Sequence, residues 1–258
     1  MVEKSISSRK ALEVYETRLC PVRTVFEQES TLVTKLLAPD IEPDALELFL
    51  IYFCGLGVAM TEPVEGWIRR AGVGCQEMGL DELGKALCTH ARHEADHHLM
   101  LIEDTRSLVD RWNERHQTQV NADEILAHPM TEGVLSYREL HEKVIADGRP
   151  FCQIAIEYEI EKMSAGYGCR WLDQIARVLG PETLATQTFV QEHVELDVGH
   201  SKFNLFQLGK LLEIHPEYAE ALADTGAAAL RAYDSFLDDC LNLARMRLNI
   251  GRELVSCA

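Results

Sequence analysis

Residues 191–203 read QEHVELDVGHSKF and place His193, Asp197 and His200 at positions i, i+4 and i+7. Side chains three and four residues apart share one face of an α-helix, so these three form a stripe of two imidazoles around a carboxylate. Val194, Leu196, Val198, Phe203, Leu205 and Phe206 make the segment largely apolar, which predicts that the stripe lies near or within a core. A buried acid between two imidazoles is costly unless its charge is compensated. A metal ion is the simplest compensator.

Working outward, three further segments offer partners. CTHARHEADHHLML, residues 88–101, crowds His90, His93, His97 and His98 together and places Glu94 three residues before His97. PFCQIAIEYEIEKMSAG, residues 150–166, sets Glu157 and Glu161 one turn apart, with Glu159 on the opposite side. Glu157 follows the apolar run Cys152–Ile156 and is the better ligand candidate, whereas Glu161, next to Lys162, is either an ordinary surface acid or a further ligand. GLGVAMTEPVEGWI, residues 55–68, supplies Glu62 and Glu65 after the most hydrophobic stretch of the chain; Glu62 is nearer that stretch, and Pro63 can deform the helix to present it.

The expected set is therefore Glu62, Glu94, His97, Glu157, His193, Asp197 and His200. A Glu from each of two helices and a carboxylate-x-x-His from each of two others is how helical bundles build dinuclear iron or manganese sites. Two divalent ions carry about +4 and four carboxylates about −4, so the charges balance. Oxygen and imidazole donors suit iron or manganese, and no thiolate spacing points to a zinc ribbon or an iron–sulfur cluster.

The rest of the chain reads as all-α. Its 8 prolines and 16 glycines fall mainly between apolar-periodic segments, and strand-like alternation is almost absent. Helices are predicted over about 8–37, 44–71 with a kink at Pro63, 81–115, 151–179, 182–214 and 218–248, with shorter irregular helix between 122 and 146; Gly72–Gly79 is read as a turn. Seven helices with short connections make one domain over 1–258, with a metal-binding core over about 45–206.

Lysine and arginine number 25 against 42 acids, a formal charge of −17 that argues against nucleic-acid or anionic-membrane partners. Leu48–Met60 is short for a bilayer span and reads as a core helix, and the charged N-terminal segment lacks a signal-like apolar core. The eight cysteines are scattered, as expected of reduced thiols in the cytoplasm.

His193-x-x-x-Asp197-x-x-His200, Glu157 in AIEYE and Glu94-x-x-His97 together resemble the haem-oxygenase-like di-iron oxidases and oxygenases, over about Ala45 to Phe206. The resemblance implies a seven-helix bundle and a labile pair of Fe(II) ions, with manganese as the alternative metal, that uses O2 as co-substrate. It implies oxidation of a small organic molecule in specialised metabolism: N-oxygenation or oxidative C–C or C–N cleavage of an amino-acid- or amine-derived substrate, or decarboxylation of a fatty acid. Glu94, Glu157 and Asp197 would be the carboxylate ligands and His97, His193 and His200 the imidazoles. Glu62 is the first-helix ligand, with Glu65 as its alternative.

A ferritin-like N-oxygenase has a similar motif, but with Glu where this chain has Asp197. A metal-free hydrolase related to the thiaminase TenA would use Cys152 or Cys169 near Glu157 and leave the 193–200 stripe without a role. A metal-storage bundle is a further alternative. An external electron donor and a homodimer are compatible with the resemblance, with Leu230–Leu248 as interface or core. Phe49, Tyr52, Phe53, Met60, Tyr158 and Tyr167 are candidate pocket residues, and Arg92 and Arg170 candidate substrate anchors or plain surface arginines.

Overall fold

The computed structural model describes the backbone over residues 2–256 and side chains over 10–251. Ten α-helices follow one another: α1 (Val2–Glu29), α2 (Pro43–Thr61), α3 (Val64–Glu77), α4 (Asp81–His93), α5 (His97–Arg115), the five-residue α6 (Ala122–Leu126), α7 (Glu132–Ala146), α8 (Gln153–Leu179), α9 (Thr188–Ile214) and α10 (Ala219–Ser256). The described residues contain no strand.

The sequence leads to seven helices, counting the irregular segment between 122 and 146 as one, and the described residues form nine besides α6. Both additions come from breaks inside predicted helices. At Glu62–Pro63 the kink is a full interruption, because proline has no N–H to continue the hydrogen-bond ladder. Between α4 and α5, Asp96 takes φ +65°, a left-handed conformation that ends one helix and re-aims the next. The predicted turn at Gly72–Gly79 is mostly helix instead, since α3 runs to Glu77 and only Met78 and Gly79 turn.

Pro43 at the first turn and Asp44 beside it start α2. Apolar residues occupy every side of α2, which makes it the central helix: Phe49 stacks on Phe53 at 5.8 Å and meets the edge of Trp171 at 5.7 Å. The stretch Pro43–Glu77 contains an 18-residue window long and apolar enough to cross a membrane, but 78% of that window is buried inside the bundle. The apolar surface is accounted for by packing against α5 and α10.

Helix α10 also packs along α1, α7 and α8. Its Leu230, Phe236, Leu237, Cys240, Leu241 and Ala244 are buried and form core, while Met246 in the same stretch is exposed. Helices α3 and α4 form a close hairpin in which Gly72 and Gly84 face each other. A Cβ on Gly84 would come 2.5 Å from the Gly72 carbonyl oxygen, so the two backbones touch where no side chain fits. This contact fixes α4, which carries His90.

Asp104 on α5 accepts hydrogen bonds from the backbone N–H of Thr188 (3.1 Å) and Phe189 (3.0 Å), capping the start of α9. The helix bearing His193 is thereby held by the helix that begins with His97.

Candidate metal centre

Four helices bring their polar side chains to one place inside the bundle. Glu94 caps the end of α4, one turn after His90, and His97 is the first residue of α5. Glu157 and Glu161 come from α8, and His193, Asp197 and His200 from α9.

Glu94 occupies the middle. Its Oε2 lies 3.0 Å from His97 Nδ1 and 4.0 Å from His193 Nε2, while its Oε1 lies 3.7 Å from His90 Nε2 and 3.6 Å from His200 Nδ1. One carboxylate thus offers a different oxygen to each of two histidine pairs. Two ligand groups share it: Glu94, His97 and His193 on one side, and His90, Glu94, Glu161 and His200 on the other, with the ligand atoms of each group within 4.8 Å of one another.

Glu157 and Glu161 are presented in the same way as each other. The Gln153 amide donates to Glu157 Oε1 at 2.6 Å, and the Asn204 amide donates to Glu161 Oε2 at 2.6 Å. The remaining oxygen of each acid points toward His90 Nε2, at 3.7 Å for Glu157 and 2.9 Å for Glu161. His193 Nδ1 lies 2.8 Å from the Phe189 carbonyl oxygen, which only accepts, so that nitrogen carries the proton and Nε2 faces Glu94 with its lone pair. Gln153 also lies 2.8 Å from Nδ1 of the fully buried His141, itself stacked on Trp67.

Burial and charge act strongly here. Burial pushes the Glu161 carboxyl up to about 8 against the opposing pull of His90, and burial raises Asp197 to about 7 although Ser164 hydrogen-bonds to it. For His90, burial works against the charged form, but the contacts with Glu157 and Glu161 outweigh it and hold the imidazole at about 11. Burial likewise opposes ionisation of Glu94, yet His97, His90 and His193 together keep its carboxyl well below the usual range.

A metal pair fits this donor set. His90 Nε2, His97 Nδ1, Glu161 Oε1 and His200 Nδ1 are all buried without an aligned hydrogen-bond partner. They meet carboxylate or imidazole atoms of the same cluster only as misaligned ion pairs, His90 Nε2 with Glu161 Oε1 at 2.9 Å and His97 Nδ1 with Glu94 Oε2 at 3.0 Å, so donors that are costly to bury without good hydrogen bonds converge on shared points. The four carboxylates Glu94, Glu157, Glu161 and Asp197 still balance about +4, and four imidazoles complete the set.

Four of the seven expected residues, Glu94, His97, His193 and His200, belong to the two ligand groups, and Glu157 and Asp197 lie beside them, 3.7 Å from His90 Nε2 and 3.8 Å from His200 Nδ1. Glu62 does neither: it sits exposed at the break between α2 and α3, outside both ligand groups. Its alternative, Glu65, pairs with Arg69 one turn on. The carboxylate expected from that segment is supplied by Glu161, which is buried by its neighbours rather than exposed beside Lys162.

His90 was not in the expected set, although a signal for it exists. His90-x-x-x-Glu94-x-x-His97 repeats the spacing of His193-x-x-x-Asp197-x-x-His200. The reasoning that placed α9 in a core also needs correction. Leu196, Val198, Phe203, Leu205 and Phe206 face outward, and Asp197 is buried by α8 packing on the other side.

A cavity of about 170 Å3 adjoins the centre, with Glu94, Glu157, Glu161, His193 and Asp197 reaching it. Phe49, Phe53, Met60 and Tyr167 line it as expected, whereas Tyr52 and Tyr158 do not. Among the described residues, no lysine, arginine or cysteine lines it. Arg92 is exposed and bonded to Thr89, Arg170 is exposed over the Tyr167 ring, Cys169 is exposed, and burial raises the Cys152 thiol to about 11.

The fold and the site define an all-α protein with a haem-oxygenase-like bundle and a candidate His/Glu metal site. A crystal structure of a domain of unknown function with a heme oxygenase-like fold from Shewanella denitrificans superposes with a TM-score of 0.60 at 15% identity, covering 92% of this chain and 91% of that one. No protein-family model and no curated protein sequence matches the chain.

Proposed function

We propose that this protein is an O2-using oxidoreductase built on a dinuclear non-haem iron centre, acting on a small organic substrate with an apolar body. The observation that carries the reading is Glu94, whose two oxygens each face a separate pair of histidines. His97 and His193 would hold one ion, His90, Glu161 and His200 the other, with Glu94 common to both and Glu157 and Asp197 beside them. Manganese would be held by the same donors. Bound iron supplies the reduction of O2 and the oxidation of a substrate held next to it.

The chain's own contribution is placement and exclusion of water. Gln153 and Asn204 fix the outer oxygens of Glu157 and Glu161, so these acids keep their inner oxygens aimed without rearrangement. The apolar cavity walls seat a hydrophobic body against the carboxylate side of the centre. An amine head group would meet carboxylates there and no lysine or arginine among the described lining residues, which favours an amine-derived substrate. The same apolar walls favour, as a second reading, a fatty acid.

Free thiols at all seven described cysteines support a cytoplasmic protein. A hydrolase using a cysteine nucleophile would find no cysteine among the described residues that line the cavity.

The test is anaerobic Fe(II) titration followed by O2 and product analysis with long-chain amines and fatty acids. Uptake of about two ions per chain is expected, with loss of uptake in His193→Ala and His200→Ala and an oxidised organic product. Absence of uptake, or uptake indifferent to both substitutions, overturns the metal centre. Two ions bound with no organic product from any substrate points to storage.

A further inference from the structure

His93 is left over by the dinuclear reading. It lies on α4 one turn after His90, is exposed to solvent, and stacks on His200 with ring centroids 5.6 Å apart and 14° between planes. His90, His93 and His200 form a third group whose ligand nitrogens all lie within 4.8 Å of one another. Two of its three members, His90 and His200, also belong to the inner group with Glu94 and Glu161.

The geometry points to His93 as an entry ligand: a divalent metal ion is first taken from solvent by His90, His93 and His200, and then moves inward. This rests on the dinuclear reading and adds the path by which the site fills. The outer group contains no carboxylate, so it offers a cation no charge compensation. The inner group replaces His93 with two carboxylates while keeping His90 and His200. An ion can therefore pass inward by exchanging one ligand for two, never losing its hold on the other two histidines. No bond other than metal–ligand bonds changes and no electron moves.

Burial runs the same way. His93 is exposed, the His200 side chain retains 15% of its accessible surface, and His90 retains 1%, so the three rings step from solvent to interior. From the inner group Glu94 offers its second oxygen to His97 and His193, which gives a first ion an onward place and frees the entry for a second.

A residue that only assists transfer changes rates in both directions and leaves the equilibrium alone. The test is anaerobic stopped-flow transfer of Fe(II) from a fluorescent metal indicator to the metal-free full-length chain, with removal by a strong chelator as the reverse measurement. For His93→Ala and His93→Gln we expect both rates to fall about tenfold, with unchanged stoichiometry and unchanged dissociation constant. Because the side chain is exposed, circular dichroism should show both variants folded as the wild type.

If the wild type takes up two ions and His93→Ala fills at the same rate, the entry role is wrong and the dinuclear reading stands. If His93→Ala binds one ion fewer, His93 is a resident ligand and the entry role is again wrong. A wild-type chain that takes up no Fe(II) overturns both.

Discussion

Glu94 is the residue on which the centre turns, because it is the one side chain common to both ligand groups. Glu94→Gln keeps the shape and removes the charge, so iron content measured by mass spectrometry should fall from about two per chain to less than one. Glu62→Ala should leave it unchanged, since Glu62 is exposed and outside the ligand groups. That six of the expected residues face one another was legible because helical spacing is a local property that sequence displays directly. Glu161 was readable only as an open alternative, because its burial comes from Asn204 and His90 on other helices, and Lys162 beside it suggests exposure. His90 was legible in principle, through the repeated i, i+4, i+7 pattern.

At the level of elements, the interruption between α4 and α5 decides how Glu94 and His97 meet. Within one continuous helix they would be neighbours on a surface; here Asp96, at φ +65°, separates the end of one helix from the start of the next. Aspartate tolerates the left-handed region better than β-branched residues do. Asp96→Val should destabilise the fold by about 1–2 kcal/mol in chemical denaturation and weaken iron binding, whereas Asp96→Gly should retain wild-type affinity. Aspartate is a common helix residue and nothing in HEADHH demands a break, so the sequence reads as one helix where the structure has two. Pro63 was readable as a disturbance, and only its degree was missed.

For the whole molecule, metal and fold are expected to be linked. The ion-pair atoms of His90, His97, Glu161 and His200 that lack aligned hydrogen bonds lie at the meeting of four helices, so an ion there would tie α4, α5, α8 and α9 together. With free Fe(II) 100-fold above the dissociation constant, stabilisation of about 2.7 kcal/mol is expected. At about 2–4 °C per kcal/mol, Tm should rise by roughly 5–10 °C. Anaerobic calorimetry with and without Fe(II) measures it, and the His193→Ala, His200→Ala double variant should show no rise. The all-α class and the single bundle were readable from periodicity and punctuation. Which helix faces turn inward was not, because the apolar side of α9 lies at the surface and only packing reveals that.

The length and position of α10 have a consequence for biosynthesis. Every residue of the metal centre, from His90 to His200, precedes it in the chain, whereas Tyr233, Phe236 and Leu237 of α10 form part of the cavity wall. At about 5–20 residues per second, a ribosome needs roughly 2–8 s to make its 38 residues. During that interval the nascent chain already carries the complete donor set while one side of the chamber is still missing. The donors are synthesised first and their enclosure last.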